Sequence, residues 1–175
     1  MDTKTLLEWS AKYHTPNYGS RAPIVLVRGD GVRVWDTEGR EYLDFGAGIA
    51  VTSLGHCHPR VTGAIQEAAA TLLHVSNLYH AAPQIHLAKL LIEHSFADRV
   101  FFSNSGAEAN EAALKVARKY ARERIASDRV EFVATRNSFH GRTFAALAAT
   151  GQEKYQHGFE PLVPGFKHVP YNDLR

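Results

Sequence analysis

The run Val100-Phe101-Phe102-Ser103-Asn104-Ser105-Gly106-Ala107-Glu108 sets a β-rich stretch, a tight polar turn and a small-residue helix start in direct succession. The first amides of a helix have no partners within it, and the helix dipole adds partial positive charge there. Such a turn suits an anion, phosphate above all. Gly106 lacks a Cβ, so a ligand can approach its backbone. Ser105 followed by Glu108 is equally the pattern of a capping box, which stabilises a helix start without any ligand. Spacing leaves capping and phosphate binding open, and the two can coexist. The glycine-loop patterns of dinucleotide- and nucleoside-triphosphate-binding proteins do not occur.

A second set lies in Asn137-Ser138-Phe139-His140-Gly141-Arg142-Thr143, just after a β-rich run ending at Thr135. Phe139 offers a flat face to an aromatic ring. Arg142 offers a planar fork for a carboxylate, a pairing that contributes about 1.5–3 kcal/mol. On residue type alone Phe139 also reads as core and Arg142 as a surface ion-pair partner. Ligands of open parallel sheets bind beyond the carboxyl ends of the strands, so this loop and the Ser105 turn are expected to face one crevice. His56-Cys57-His58 looks like a metal cluster, but no further pair stands at zinc-like spacing, and no metal site is expected.

These residues need elements to hold them. Leu6 to Tyr13 has the pattern of a short amphipathic helix, and Thr15 to Pro23 reads as a loop. Ile24–Arg28, Val32–Trp35 and Glu41–Phe45 are short β-rich runs with turns at Gly29-Asp30-Gly31 and Thr37–Arg40, which predicts a small antiparallel meander. Gly46 to Gly55 is a glycine-rich apolar loop. Pro59 suits a first helical position, and apolar residues then recur at helical spacing through Leu73. A further helix from Pro83 is expected to bury Leu87, Leu90 and Leu91. Val100–Ser103 reads as a short buried strand, Gly106–Arg124 as a long helix and Val130–Thr135 as a strand. That βαβ order predicts a parallel sheet in an α/β fold. One more strand is expected near Lys167 to Val169.

Composition bounds the function classes. The chain has 175 residues, 45% hydrophobic and 22% charged, with a formal net charge of +2. Those values suit a globular domain and make no case for nucleic-acid binding. The basic residues from Lys115 to Arg124 are interleaved with Glu111 and Glu123, as on a solvated helix face. Cys57 is the lone cysteine, which fits a reducing, cytoplasmic setting. The first ten residues lack the apolar core of a signal peptide, and no run approaches the ~20 apolar residues of a membrane span.

Ser105-Gly106-Ala107-Glu108-Ala109-Asn110-Glu111-Ala112 and Phe139-His140-Gly141-Arg142-Thr143 resemble the signatures of class III aminotransferases, pyridoxal-phosphate enzymes of fold type I. Gly48-Ile49-Ala50-Val51, Ser76-Asn77-Leu78-Tyr79, Phe96-Ala97-Asp98-Arg99-Val100 and Thr150-Gly151-Gln152 narrow the likeness to acetylornithine aminotransferases, from about Pro23 to the last residue. The resemblance implies that residues 1–58 form an N-terminal segment with a small antiparallel sheet and glycine-rich loop. Residues 59–175 would form the first, incomplete part of a mainly parallel, pyridoxal-phosphate-binding large domain. Gly106 and Ala107 would give amides to the cofactor phosphate beside Ser105, Phe139 would stack on its ring, and Arg142 would bind the substrate α-carboxylate. The implied reaction moves an amino group from N2-acetyl-L-ornithine to 2-oxoglutarate, in arginine biosynthesis, with the full-length protein a homodimer. Ornithine, succinylornithine or 4-aminobutyrate are the alternative donors. The cofactor-holding lysine of the family is not assignable among the seven lysines here, from Lys4 to Lys167. The expectation is a truncated or split chain, inactive alone. A non-catalytic remnant and a plain α/β binding module remain the other readings.

Overall fold

The structure, a computed structural model, describes residues 1–126 and 128–173, the side chain of Tyr18 excepted. Residues 174 and 175, which close the expected 59–175 segment, and residue 127 within it lie outside the described residues. The chain divides by compactness into residues 1–81 and 82–175.

In the first unit, helix α1 (Thr3–Tyr13) starts where the Thr5 amide donates to the Asp2 carboxylate at 2.8 Å. Strands β1 (Leu26–Asp30), β2 (Arg33–Asp36) and β3 (Glu41–Leu43) then form the expected antiparallel meander, in that order. Gly31 takes a positive φ of 55° in the first turn. The second turn is organised by Asp36, which is only 2% exposed. Its Oδ1 accepts the amides of Glu38 (3.0 Å) and Arg40 (2.9 Å), and its Oδ2 accepts Arg40 Nε and the Tyr42 hydroxyl, both at 2.7 Å. Burial pushes this carboxyl up, but the bonds from Tyr42, Arg40 and Glu38 outweigh it and hold the pKa at about 2.

The glycine-rich stretch closes into an irregular turn, α2 (Ala47–Ala50), with positive φ at Ala47, Gly48, Ile49 and Ala50. Asp44 pins its entry. The carboxylate accepts the amides of Gly46 and Ala47 and lies 2.7 Å from His56 Nε2. Helix α3 (Pro59–Thr71) begins at Pro59, as its missing N–H allows.

The second unit contains α4 (Ala82–Glu93), α5 (Gly106–Arg124), β4 (Phe132–Thr135), α6 (Phe144–Ala149), α7 (Glu153–Gln156) and β5 (Phe166–Val169). β4 and β5 pair in parallel, with Phe132 opposite Phe166 and their rings stacked at 5.4 Å. Helix α6 packs against β5 and α5 and supplies most of the buried core through Ala146, Leu147, Ala148 and Ala149. The α/β class, with a small antiparallel sheet and the beginning of a parallel one, is as expected.

Three local expectations are corrected. Val100–Ser103 is not a strand, and Phe101 is 75% exposed. A strand exists only through its ladder, and among the described residues no segment pairs with this one. The parallel pair is therefore β4 with β5, connected through α6 and α7, rather than the two strands flanking α5. Leu87, Leu90 and Leu91 are 44–53% exposed rather than buried. Their helical spacing is real, but among the described residues no element covers that face of α4.

Candidate active site

The turn before α5 is built by Ser105. Its hydroxyl accepts the Glu108 amide at 3.2 Å and donates to the Glu108 carboxylate at 3.1 Å. Asn104 Nδ2 donates to the same carboxylate at 3.2 Å. Asn104 first, and then Ser105, hold the Glu108 carboxyl below its usual range. The capping reading of Ser105 and Glu108 thus holds. Ala109 bonds to the Ser105 carbonyl, which leaves the amides of Gly106 and Ala107 as those with no helical acceptor. A Cβ placed on Gly106 would meet nothing within 4 Å, so the space before the first turn is open. The Ser105 hydroxyl serves the cap, and the cap engages neither the Gly106 nor the Ala107 amide.

The loop after β4 lies directly against this helix. Asn110 Nδ2 donates to the His140 carbonyl at 2.6 Å. A Cβ on Gly141 would stand 2.7 Å from Ala107 Cβ, and Gly141 has a φ of +133°. The loop approaches the turn as closely as a bare backbone allows. Thr150, fully buried, accepts the His140 amide at 3.0 Å and donates to the Ala146 carbonyl at 2.9 Å. Glu111 accepts the Thr143 hydroxyl at 2.6 Å and the amides of Ala145 and Ala146 at 3.0 and 3.1 Å. Ser105, Gly106, Ala107 and the Phe139–Arg142 loop therefore belong to one locked substructure.

Phe139 is 57% exposed, so it is not a core residue. Its ring meets Tyr155 edge to face at 6.0 Å. The Arg142 guanidinium lies 4.9 Å from the centre of the same Tyr155 ring, and Arg142 is exposed. Among the described residues it forms no ion pair. Beyond Asn137 a cleft of about 830 Å³ opens between Arg136, Gln152, Glu153, Lys154 and His168. It contains none of the five candidate residues.

Sequence reasoning missed Glu111, Thr150 and Tyr155 as parts of this arrangement. Glu111 reads only as one of the carboxylates on a solvated helix face, and residue type gives Thr150 and Tyr155 no role here. Glu111 bonds to groups 32 to 35 residues away, and Thr150 accepts an amide ten residues back, so no local pattern marks them.

A family model described as aminotransferase class-III matches residues 15–175. The chain belongs to that family. Acetylornithine aminotransferase from Caldanaerobacter subterraneus subsp. tengcongensis is 57% identical over 97% of the chain and 43% of its own length. Acetylornithine aminotransferase from Methanocaldococcus jannaschii is 53% identical over 99% of the chain and 44% of its own length. The structure superposes on ornithine aminotransferase from Toxoplasma gondii ME49 with a TM-score of 0.92 at 34% identity, covering 99% of the chain and 41% of that protein. An omega transaminase from Pseudomonas jessenii, solved in complex with PMP, gives a TM-score of 0.85 at 31% identity, over 93% of the chain and 38% of its own. This class III aminotransferase chain thus spans about two-fifths of the length of the relatives it matches.

Proposed function

We propose that this chain carries the phosphate- and carboxylate-binding portion of a pyridoxal-phosphate aminotransferase that moves the amino group of N2-acetyl-L-ornithine to 2-oxoglutarate. One observation carries the reading. The free amides at the start of α5 and the loop bearing Phe139 and Arg142 are locked together by Asn110–His140 and by the Ala107–Gly141 contact. The acetylornithine donor is favoured because relatives of that name are 57% and 53% identical over nearly the whole chain.

The residues fit the cofactor. Gly106 and Ala107 would hold its phosphate through their amides, in the open space that the missing Cβ leaves. Ser105 contributes by setting the helix start, its hydroxyl being engaged with Glu108. Phe139, 57% exposed, would stack on the cofactor ring. Arg142 would take the substrate α-carboxylate as a bidentate, charge-assisted pair and so orient the Cα. When bound, pyridoxal phosphate supplies an electron sink for loss of the Cα proton. None of the chain's lysines lies in the phosphate turn; Lys115 is more than two turns into α5. On this reading the chain by itself binds but does not turn over. The division at 58/59, a homodimer for the longer protein and a cytoplasmic setting belong to the same proposal. The last is supported by the single cysteine and by the absence, among the described residues, of a helix long and apolar enough to cross a membrane.

The test is a titration of the purified chain with pyridoxal phosphate, followed by borohydride treatment and lysine mapping. Reversible, saturable binding that inorganic phosphate competes away is expected. Gly106→Val has room in the fold, yet should weaken the binding by about tenfold or more by filling the approach to the amides. Unchanged affinity in that variant would sink the phosphate assignment. Stoichiometric trapping at one lysine would overturn the expectation that the chain lacks the covalent anchor.

A further inference from the structure

We propose that Glu111 is a positioning residue that sets where Arg142 stands relative to the phosphate turn. The inference rests on the site reading above and assigns a role to a side chain outside it.

Helix α6 starts at Phe144, and its N-cap residue Thr143 makes no capping bond of its own. The cap comes instead from Glu111, in the second turn of α5. One oxygen, Oε1, receives the amides of Ala145 and Ala146 together with the Thr143 hydroxyl. Thr143 directly follows Arg142. On the other side of Arg142, Gly141 is wedged against Ala107, and His140 is held by Asn110 and Thr150. The backbone of Arg142 is therefore clamped at both ends, and Ala107, Asn110 and Glu111 of that clamp belong to α5. The first turn of the same helix supplies the amides of Gly106 and Ala107. One rigid helix end thus carries the phosphate turn and holds the loop that bears the guanidinium, with Ala107 and Asn110 fixing the residues before Arg142 and Glu111 fixing those after it. Burial disfavours the ionised carboxyl, but the Thr143 hydroxyl and the Ala146 and Ala145 amides outweigh it and keep Glu111 below its usual range.

The test uses the full chain as wild type, Glu111→Gln and Glu111→Ala. Amide hydrogen exchange is followed over residues 138–150, and binding isotherms are recorded for pyridoxal phosphate and for glutarate, an unreactive dicarboxylate. Glu111→Ala should speed exchange at Ala145 and Ala146 by about tenfold or more, since it removes their acceptor. It should weaken glutarate by about tenfold while leaving pyridoxal phosphate within about twofold, because only the carboxylate point moves. Glu111→Gln keeps Oε1 as an acceptor and should recover most of both effects. Exchange that ignores Glu111→Ala, or a parallel fall of both affinities as from general loosening, would overturn the proposal. Absent binding of both ligands by the wild type, with exchange still responding to Glu111→Ala, would instead mark failure of the site reading.

Discussion

Gly141 combines two constraints that a single side chain cannot satisfy. Its φ of +133° disfavours any L-residue, and a Cβ there would also stand 2.7 Å from Ala107 Cβ and 3.1 Å from Ala146 Cβ. Gly141→Ala should destabilise the chain by about 1–3 kcal/mol in urea unfolding, as overpacking and backbone strain combine. Stability unchanged within error would mean that the loop does not press on α5 in solution. Asp36 makes a pH-dependent contribution. Its folded pKa, about 2, lies below that of an unfolded carboxyl, so its stabilisation is present at neutral pH and is lost as pH falls toward 2. Replacing it with Asn should flatten that part of the acid-stability curve while lowering stability at neutral pH. A curve with the same acid slope in both proteins would rule Asp36 out as its source.

Among the elements, α5 has two separable duties. It is a capped helix, and it is the end on which a phosphate would sit. Ser105→Ala removes the hydroxyl that accepts the Glu108 amide and should cost about 1 kcal/mol of stability. Ser105→Asp keeps a capping oxygen but adds negative charge at the proposed anion site. Because it also loses the donor to the Glu108 carboxylate and sets two carboxylates close together, it should cost stability as Ser105→Ala does, but it should weaken pyridoxal phosphate well beyond Ser105→Ala. If the turn is only a cap, the two variants will differ in stability alone, and phosphate binding will be unmeasurable throughout.

At the scale of the whole molecule, large apolar side chains remain uncovered in both units. Phe45 and Ile49 in the first are 94% and 96% exposed, and Phe101 in the second is 75% exposed. Leu87, Leu90 and Leu91 add an uncovered stripe on α4, and Val133 on β4 is 70% exposed. Apolar surface left open on this scale favours association. The purified chain should sediment as concentration-dependent species and enhance the fluorescence of a hydrophobic dye at neutral pH. A monodisperse monomer that leaves the dye dark would show that the apolar faces close in solution.

The antiparallel meander, the start of α3 at Pro59 and the extent of α5 from Gly106 to Arg124 were all legible in the chain. Each is set by neighbours within a few residues: turn glycines, a proline without an amide, a serine cap and a 3.6-residue period. The motif residues also named the family. Tertiary structure alone decided the rest. Whether Val100–Ser103 becomes a strand depends on a partner for its ladder, and whether Leu90 is buried depends on a facing element. That Glu111 caps a helix whose first amides lie 34 and 35 residues away depends on which loop α5 meets. Local pattern records what a segment prefers; these outcomes follow from which segments become neighbours.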